Sequence, residues 1–175
     1  MKYQYRYRTP APFSDLWMQS DGKFLTGLRF AASGETDGDA LECEGKKPPV
    51  LEEVCRWLGQ YFSGEAPENF SKIKLENLTD FRRRVLQRLL AIPYGQVVTY
   101  GEIAQSIARE RGIPKMSARA VGHAVGSNPI CIIIPCHRVI GVNGRLTGYG
   151  GGIQTKIDLL ELEGVDIVHF TLPKF

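Results

Sequence analysis

The sequence predicts an α/β N-terminal domain over residues 1–78, made of an antiparallel sheet plus a helix, and a mainly helical C-terminal domain over residues 79–175 with a winged-helix-like helix-turn-helix. Three observations predict it. In the first third, apolar and polar residues alternate between turn signals, the period of half-buried strands. From Thr79 onward, apolar residues recur every three or four positions, as on one face of a helix. Charge also divides: residues 1–80 carry 10 Lys and Arg against 13 Asp and Glu, whereas residues 81–150 carry 10 against 2. That second segment is either a solvated basic surface or the part that meets a polyanion.

Composition excludes several classes. With 175 residues, 43% of them hydrophobic, the chain can bury a core. Its 10 Pro and 19 Gly are dispersed, unlike those of a disordered or collagen-like chain. The longest apolar run, Ile130–Pro135, is far too short to cross a bilayer. No apolar segment follows MKYQYRYRTP, so no secretory signal is expected and the chain is expected in the cytoplasm, with no membrane partner. Cys43, Cys55, Cys131 and Cys136 form no C-x-x-C pair and are expected to stay reduced.

Tyr3, Tyr5 and Tyr7 alternate with polar residues and predict a strand. Leu16–Met18 and Phe24–Phe30 flank Ser-Asp-Gly and predict a hairpin. Residues 32–48 are small, acidic and glycine-containing, and read as a mobile loop. Pro48 and Pro49 open a helix with Val50, Leu51, Val54, Cys55, Leu58 and Phe62 on one face. Thr79 or Asp80 caps a second helix, striped by Phe81, Val85, Leu86, Leu89 and Leu90 with Arg82, Arg83, Arg84 and Arg88 mostly opposite. Pro93-Tyr94-Gly95 ends it, Val97–Tyr100 is short and extended, and a third helix runs from Gly101 to about Arg109. The loop Glu110–Met116 leads to Ser117, which caps a fourth helix over Ala118–Val125. Two short helices joined by a turn in a basic segment suggest a helix-turn-helix. The fourth helix is built from small residues, Ser117, Ala118, Ala120, Gly122, Ala124 and Gly126, with Arg119 its lone long cation. It either packs tightly on a neighbour or is slim enough to lie in a groove. Further on, Asn143-Gly144 marks a hairpin turn. Leu146–Gly152 is a glycine-rich loop around Tyr149. Ile153–Leu162 is a last helix closed at Gly164, and Val165–Phe170 is an extended tail.

Cys136 is the first candidate for chemistry. It ends an apolar run, follows a proline and precedes His137. A thiolate is the reactive form of cysteine, and a neighbouring imidazole can take its proton. A carboxylate that orients the imidazole is offered by Glu163, Glu161 or Asp158 on the last helix. The alternative is a buried, inert cysteine.

The string Pro135-Cys136-His137-Arg138-Val139-Ile140 resembles the active-site motif of the O6-alkylguanine-DNA alkyltransferases, the methylated-DNA–protein-cysteine methyltransferases. Val97-Val98-Thr99-Tyr100-Gly101-Glu102-Ile103-Ala104 is similar to that family's lead into its helix-turn-helix. Ala118-Arg119-Ala120-Val121-Gly122 is similar to its recognition helix, and Asn128-Pro129 to the hinge before the active-site run. The four motifs come in order over residues 80–165, while residues 1–80 match in outline, as the more variable N-terminal domain.

The resemblance implies a DNA repair protein. Cys136 would accept the alkyl group, His137 would draw its proton through a water, and Glu163 would hold His137. Such a thiol either has a pKa well below the free value of about 8.5 or ionises when substrate binds. Asn128 would brace the turn under the site. Tyr100 would assist rotation of the phosphate and protonation of the leaving purine. Arg119 would fill the gap left by the flipped nucleotide, with Ser117, Ala118, Ala120 and Gly122 letting the helix approach DNA. Val139, Tyr149, Gly150, Gly151 and Cys131 would line the pocket. The implied partner is double-stranded DNA carrying O6-alkylguanine, with O4-alkylthymine a second candidate, bound by a monomer that needs no cofactor.

The chain departs from many relatives in places. Gly150 stands where a Ser is common, removing a hydroxyl donor. Cys131 stands where some relatives have Pro. The segment Arg109–Met116 lengthens the turn between the two helices. Residues 1–80 hold no His and only Cys43 and Cys55, too few ligands for the structural zinc of some relatives, so no metal is expected. His123 and His169 are expected on the surface. Two rival functions remain: a cysteine hydrolase using Cys136, His137 and Glu163, which has no use for the basic segment, and an alkyltransferase-like lesion-binding or regulatory protein, a kind that lacks the acceptor cysteine.

Overall fold

The computed structural model describes residues 2–33, 41–42 and 46–173. Cys43 and most of the predicted 32–48 loop lie outside the described residues. The chain divides into two compact units, residues 1–76 with 129–133, and residues 77–128 with 134–175.

The first unit is a sheet and a helix. Strands β1 (Tyr3–Tyr7), β2 (Leu16–Ser20), β3 (Leu25–Phe30) and β4 (Leu41–Glu42) lie in the order β3-β2-β1-β4. The predicted hairpin is β2–β3. Asp21 Oδ1 accepts from the N–H groups of Lys23 and Phe24 and closes its turn, the local side-chain bonding that makes Asp a turn residue. β1 pairs antiparallel to β2, with Tyr5 opposite Met18. β4 pairs parallel to β1, with Tyr3 opposite Leu41. The sheet therefore carries one parallel edge where a loop was expected: two residues are too short a run for alternation to signal a strand.

Helix α1 (Pro49–Phe62) starts on Pro49, whose missing N–H costs nothing at a helix start. It packs on β2, burying Val50, Leu51, Val54, Leu58 and Tyr61 against Leu16, Met18, Leu25, Leu28 and Phe30. Tyr61 is buried where Phe62 was expected, and Phe62 and Cys55 are only half-buried. The free side of β3 is covered by two remote segments. Leu25 bonds to Lys72 and Lys74, and Leu28 donates to Pro129 O and accepts from Cys131 N–H. This second pairing is why residues 129–133 group with the first unit.

The second unit is mainly helical. Helices α2 (Asp80–Leu90), α3 (Tyr100–Arg111) and α4 (Ala118–Gly126) pack on one another, sharing Val85, Leu89, Ile103, Ile107, Val121 and Ala124. α2 and α4 have the predicted kind of cap, and α3 has one that was not predicted. Thr79 Oγ1 accepts from Arg82 N–H at 3.2 Å and Ser117 Oγ from Ala120 N–H at 3.2 Å. Thr99 and Glu102 form a reciprocal capping box, 3.1 Å and 2.6 Å. α3 runs through Arg111 and stops at Gly112 in the left-handed conformation, φ 63°. The predicted Arg109–Met116 insertion is thus partly helix, and the turn proper is residues 112–117. Two pairs hold this extension: Glu110 bridges Arg84 and Arg88 of α2.

Short strands β5 (Val98–Thr99) and β6 (Val139–Ile140) pair in parallel. The Asn143-Gly144 turn forms, both residues at positive φ, but no hairpin follows: Leu146 N–H instead donates to Thr171 O at 2.8 Å. Helix α5 (Ile153–Leu162) closes a second core of Ile140, Leu146, Ile157 and Leu160. The tail 165–170 packs Val165, Ile167 and Phe170 there without becoming a strand. No helix among the described residues is long and apolar enough to cross a membrane.

The capping box fixes where α3 begins and so where Tyr100 sits. Thr99→Ala is expected to lower stability by about 1 kcal/mol and Thr99→Ser by much less, read as urea unfolding midpoints.

Candidate active site

Cys136 sits in a single 3-10 turn, Cys136–Arg138, entered through Pro135. Two bonds shape the approach. Cys136 N–H donates to Ile134 O at 2.8 Å, and Asn128 Nδ2 donates to the same carbonyl at 2.8 Å. Asn128 therefore shares the carbonyl that holds the lead into the turn. Cys136 is 8% exposed. Burial pushes its thiol pKa up, and hydrogen bonding from Asn128, the nearby Lys156 charge and the Tyr149 hydroxyl pull it down without cancelling that. The resting site holds a thiol, so of the two expectations the structure favours ionisation on substrate binding.

His137 is fully buried. Its Nε2 lies 2.6 Å from Glu163 Oε1. Burial lowers the imidazole pKa more than Glu163 raises it, so the ring is neutral at pH 7. Nε2–H then donates to the carboxylate, and Nδ1 is left as the basic nitrogen. Of the three carboxylates the sequence offered, only Glu163 reaches the imidazole: Glu161 is exposed and Asp158 bonds to Gln154 at 2.8 Å.

Glu163 is the C-cap residue of α5, where a carboxylate faces the negative end of the helix dipole. Arg138 compensates. Its Nε donates to Glu163 Oε2 at 2.8 Å and its NH2 to Oε1 at 3.0 Å. The third arm, NH1, donates to Ile92 O at 2.7 Å, and the guanidinium lies 5.7 Å from the Tyr94 ring centre. Gly95 N–H adds a bond to Oε2 at 3.0 Å. Burial alone would raise the Glu163 pKa; the hydrogen bonds from His137 and Arg138 and the Arg138 charge outweigh it and hold it at about 2, from an ordinary 4.5. Gly95 also has no room for a side chain, since a Cβ there would stand 2.9 Å from Glu163 O.

Lys156, on the first turn of α5, is 0% exposed, and its Nζ donates to Val139 O at 2.6 Å. Val139 is fully buried and its carbonyl, expected to face the substrate, already holds this bond; its second lone pair remains. Tyr100, at the start of α3, accepts from Thr147 Oγ1 at 3.0 Å. Its phenol pKa is raised, first by burial and also by Cys136 within electrostatic reach. Tyr149, Gly150, Gly151 and Gly152 form the loop before α5, and Gly150 has open space where a Cβ would go. Cys131 groups with the first unit, where its N–H donates to Leu28 O at 2.9 Å.

The face of α4 is divided. Val121, Ala124 and Val125 are buried, while Ser117, Ala118, Arg119, His123 and Gly126 are exposed. Ala120 and Gly122 are half-buried, and Gly122 lies against the Tyr100 ring, 3.8 Å from where its Cβ would be. The small residues pack against neighbours on one face, and on the other Arg119 stands exposed among them.

Comparison with known proteins decides the family. The model of the 6-O-methylguanine DNA methyltransferase DNA-binding domain matches residues 80–165, and that of the same proteins' ribonuclease-like domain matches residues 3–77. The methylated-DNA–protein-cysteine methyltransferase of Mycobacterium tuberculosis is 46% identical over 158 residues, 90% of this chain and 91% of that one. The chain belongs to this methyltransferase family. Its relative from Methanosarcina acetivorans is 52% identical over 154 residues, 88% of this chain and 94% of that one. Among solved structures, the M. tuberculosis O6-methylguanine methyltransferase superposes with a TM-score of 0.76 at 41% identity, covering 93% of each chain. M. tuberculosis OGT in complex with DNA gives 0.76 at 42% identity, covering 92% of each.

Sequence reasoning missed two residues of this methyltransferase's site. Arg138 lay inside the quoted motif, yet nothing local shows that it turns inward to Glu163. Lys156 did leave a signal: Ile153, Lys156, Ile157 and Leu160 follow the i, i+3, i+4, i+7 pattern, which puts the lysine on the apolar face.

Glu163 contributes stability above its ordinary pKa of 4.5, and that contribution is lost as pH falls toward 2. Glu163→Gln, which leaves Arg138 buried without a counter-charge, is expected to cost on the order of 3 kcal/mol at pH 7. It should also flatten the fall in stability between those two pH values. Urea unfolding at a series of pH values reads both effects.

Proposed function

We propose that this methyltransferase repairs DNA by flipping O6-alkylguanine out of the duplex and moving the alkyl group irreversibly onto its own Cys136. The observation that carries this is the chain Cys136–His137–Glu163–Arg138, in which a near-buried thiol adjoins a neutral imidazole locked by an ionised carboxylate.

The reaction is one in-line displacement. O6 of guanine is shielded inside a duplex, so the base must leave the stack at a cost of a few kcal/mol. Arg119 projects from the exposed face of α4 and takes the vacated place, as wedges in the minor groove do. Ser117, Ala118, Ala120 and Gly122 let the helix come close. In the pocket lined by Val139, Tyr149, Gly150 and Gly151, the thiol gives its proton through a water to His137. The thiolate attacks the carbon on O6: a C–S bond forms, the C–O bond breaks, and its electron pair passes to the purine. Tyr100 supplies the hydrogen bond or proton that makes guanine a neutral leaving group, and assists the rotation of its phosphate. Asn128 keeps the acceptor turn in place.

The product is a thioether, which offers water no carbonyl to attack, so each molecule acts once. No step calls for a cofactor. Phosphates meet the exposed cations of the second unit and carry no sequence information, which suits a protein that recognises a lesion in a pocket. Such a protein works as a monomer where chromosomal DNA is, in the cytoplasm and, in a prokaryote, at the nucleoid. The lesion-binding and hydrolase alternatives gain no support from the site: the acceptor thiol is present, and a hydrolase needs neither α4 nor its arginine.

Intact-mass measurement after mixing with O6-methylguanine DNA tests the proposal. One methyl group is expected, permanently, on Cys136, and none on Cys136→Ser, which should still bind DNA. A label on Cys43, Cys55 or Cys131, or turnover without a mass gain, would overturn it. Arg119→Ala is expected to slow repair of duplex DNA by about tenfold or more while sparing reaction with the free base, which needs no flipping. Equal losses on both substrates would remove the wedge role.

A further inference from the structure

Lys156 is the one fully buried lysine among the described residues. Taking an ammonium out of water costs several kcal/mol. Its single described bond, to Val139 O, does not account for that cost, because an ammonium has three N–H donors and any hydroxyl could serve one carbonyl. The lysine stands on the core face of α5, and the strand it grips, β6, begins three residues after Cys136.

The charged and titratable groups around this space come from every neighbouring element. The acceptor turn brings Cys136, His137 and Arg138; the end of α5 brings Glu163; the start of α3 brings Tyr100; the glycine loop brings Tyr149. Arg138 and Glu163 neutralise each other at 2.8 Å. His137 is neutral, and Tyr100, its phenol pKa raised by burial, keeps its proton at pH 7. Cys136 receives hydrogen bonds from Asn128 and Tyr149, and the cation within its electrostatic reach is Lys156.

We infer that Lys156 is a positioning residue for the alkyl transfer: it fixes the Val139 carbonyl, and its buried ammonium is the counter-charge of the Cys136 thiolate. This rests on Cys136 being the acceptor. Burial lowers the amine pKa to about 8 even with the opposing pull of a thiolate beside it. With that thiolate present the amine is mostly charged at neutral pH. When the thiol proton leaves, the charge on Sγ and the ammonium hold each other ionised. When the C–S bond forms, Sγ becomes neutral and the ammonium loses its partner.

Capture of Cys136 by iodoacetamide, followed by intact mass from pH 6 to 10 with Cys136→Ser as the blank, tests the inference without DNA. Lys156→Met is expected to displace the rate profile upward by about one pH unit, making capture about tenfold slower near neutrality. It should converge on the wild-type rate at high pH, while Lys156→Arg, which keeps the cation, stays close to wild type. A uniform loss at every pH, with the profile unmoved, would mean that Lys156 only holds Val139. A second measurement needs no variant: in the native chain, methylating Cys136 should lower the titration midpoint of the Lys156 amine, followed by NMR of labelled lysine. An unchanged midpoint overturns the inference. If Cys136 is not the acceptor at all, alkylated DNA will leave it unlabelled in the native chain, whatever these profiles show.

Discussion

A single buried carboxylate, Glu163, joins three stretches that are far apart in sequence. It accepts from the His137 imidazole and the Arg138 guanidinium on the acceptor turn, and from the Gly95 N–H after α2, while sitting at the end of α5. A buried charge is tolerable only when it is paired and its lone pairs are filled, and this one has both. Arg138 in turn needs Glu163, because its other two contacts, Ile92 O and the Tyr94 ring, carry no full charge. The acceptor turn has only one helical turn of its own. Its geometry is borrowed from this network rather than from local propensity.

The same pairing redistributes the positive charge read from the sequence. Arg84 and Arg88 are engaged by Glu110 and Asp80, and Arg138 is buried. The exposed cations that remain around the helices are Arg82, Arg83, Arg109, Arg111, Lys115 and Arg119. Basic residues in this chain thus divide between fastening helices together and facing outward, and a charge count cannot separate the two uses.

Much of the architecture was legible because its signals are local. Caps at Thr79 and Ser117, the Asp21 turn and the apolar stripes of α1 and α2 each depend on residues a few positions apart. What was not legible depends on pairing across distance. Leu41–Glu42 becomes a strand only because β1 lies beside it. The 165–170 tail reads as extended yet packs as an irregular lid on Ile140 and Leu160. At the site, the residues by themselves left Glu163, Glu161 and Asp158 open and the family resemblance named Glu163, which is the one that stands at the imidazole. The inward turn of Arg138 and the burial of Lys156 are tertiary facts, since both residue types ordinarily stay at the surface.

The pairing of β3 bears on how the chain can be made and divided. One part of its free side is finished by residues 72–74, the other by residues 129–131. During synthesis the first unit must therefore wait, its Leu28 N–H and C=O open, until the ribosome has delivered about fifty residues beyond residue 76. A fragment cut near residue 77, where the two family matches meet, would keep that opening permanently. An unpaired strand edge is a template for other chains. Domain dissection at the obvious boundary thus creates a self-associating piece, and a graft that restores the 129–133 segment is the form in which the first unit can be handled alone.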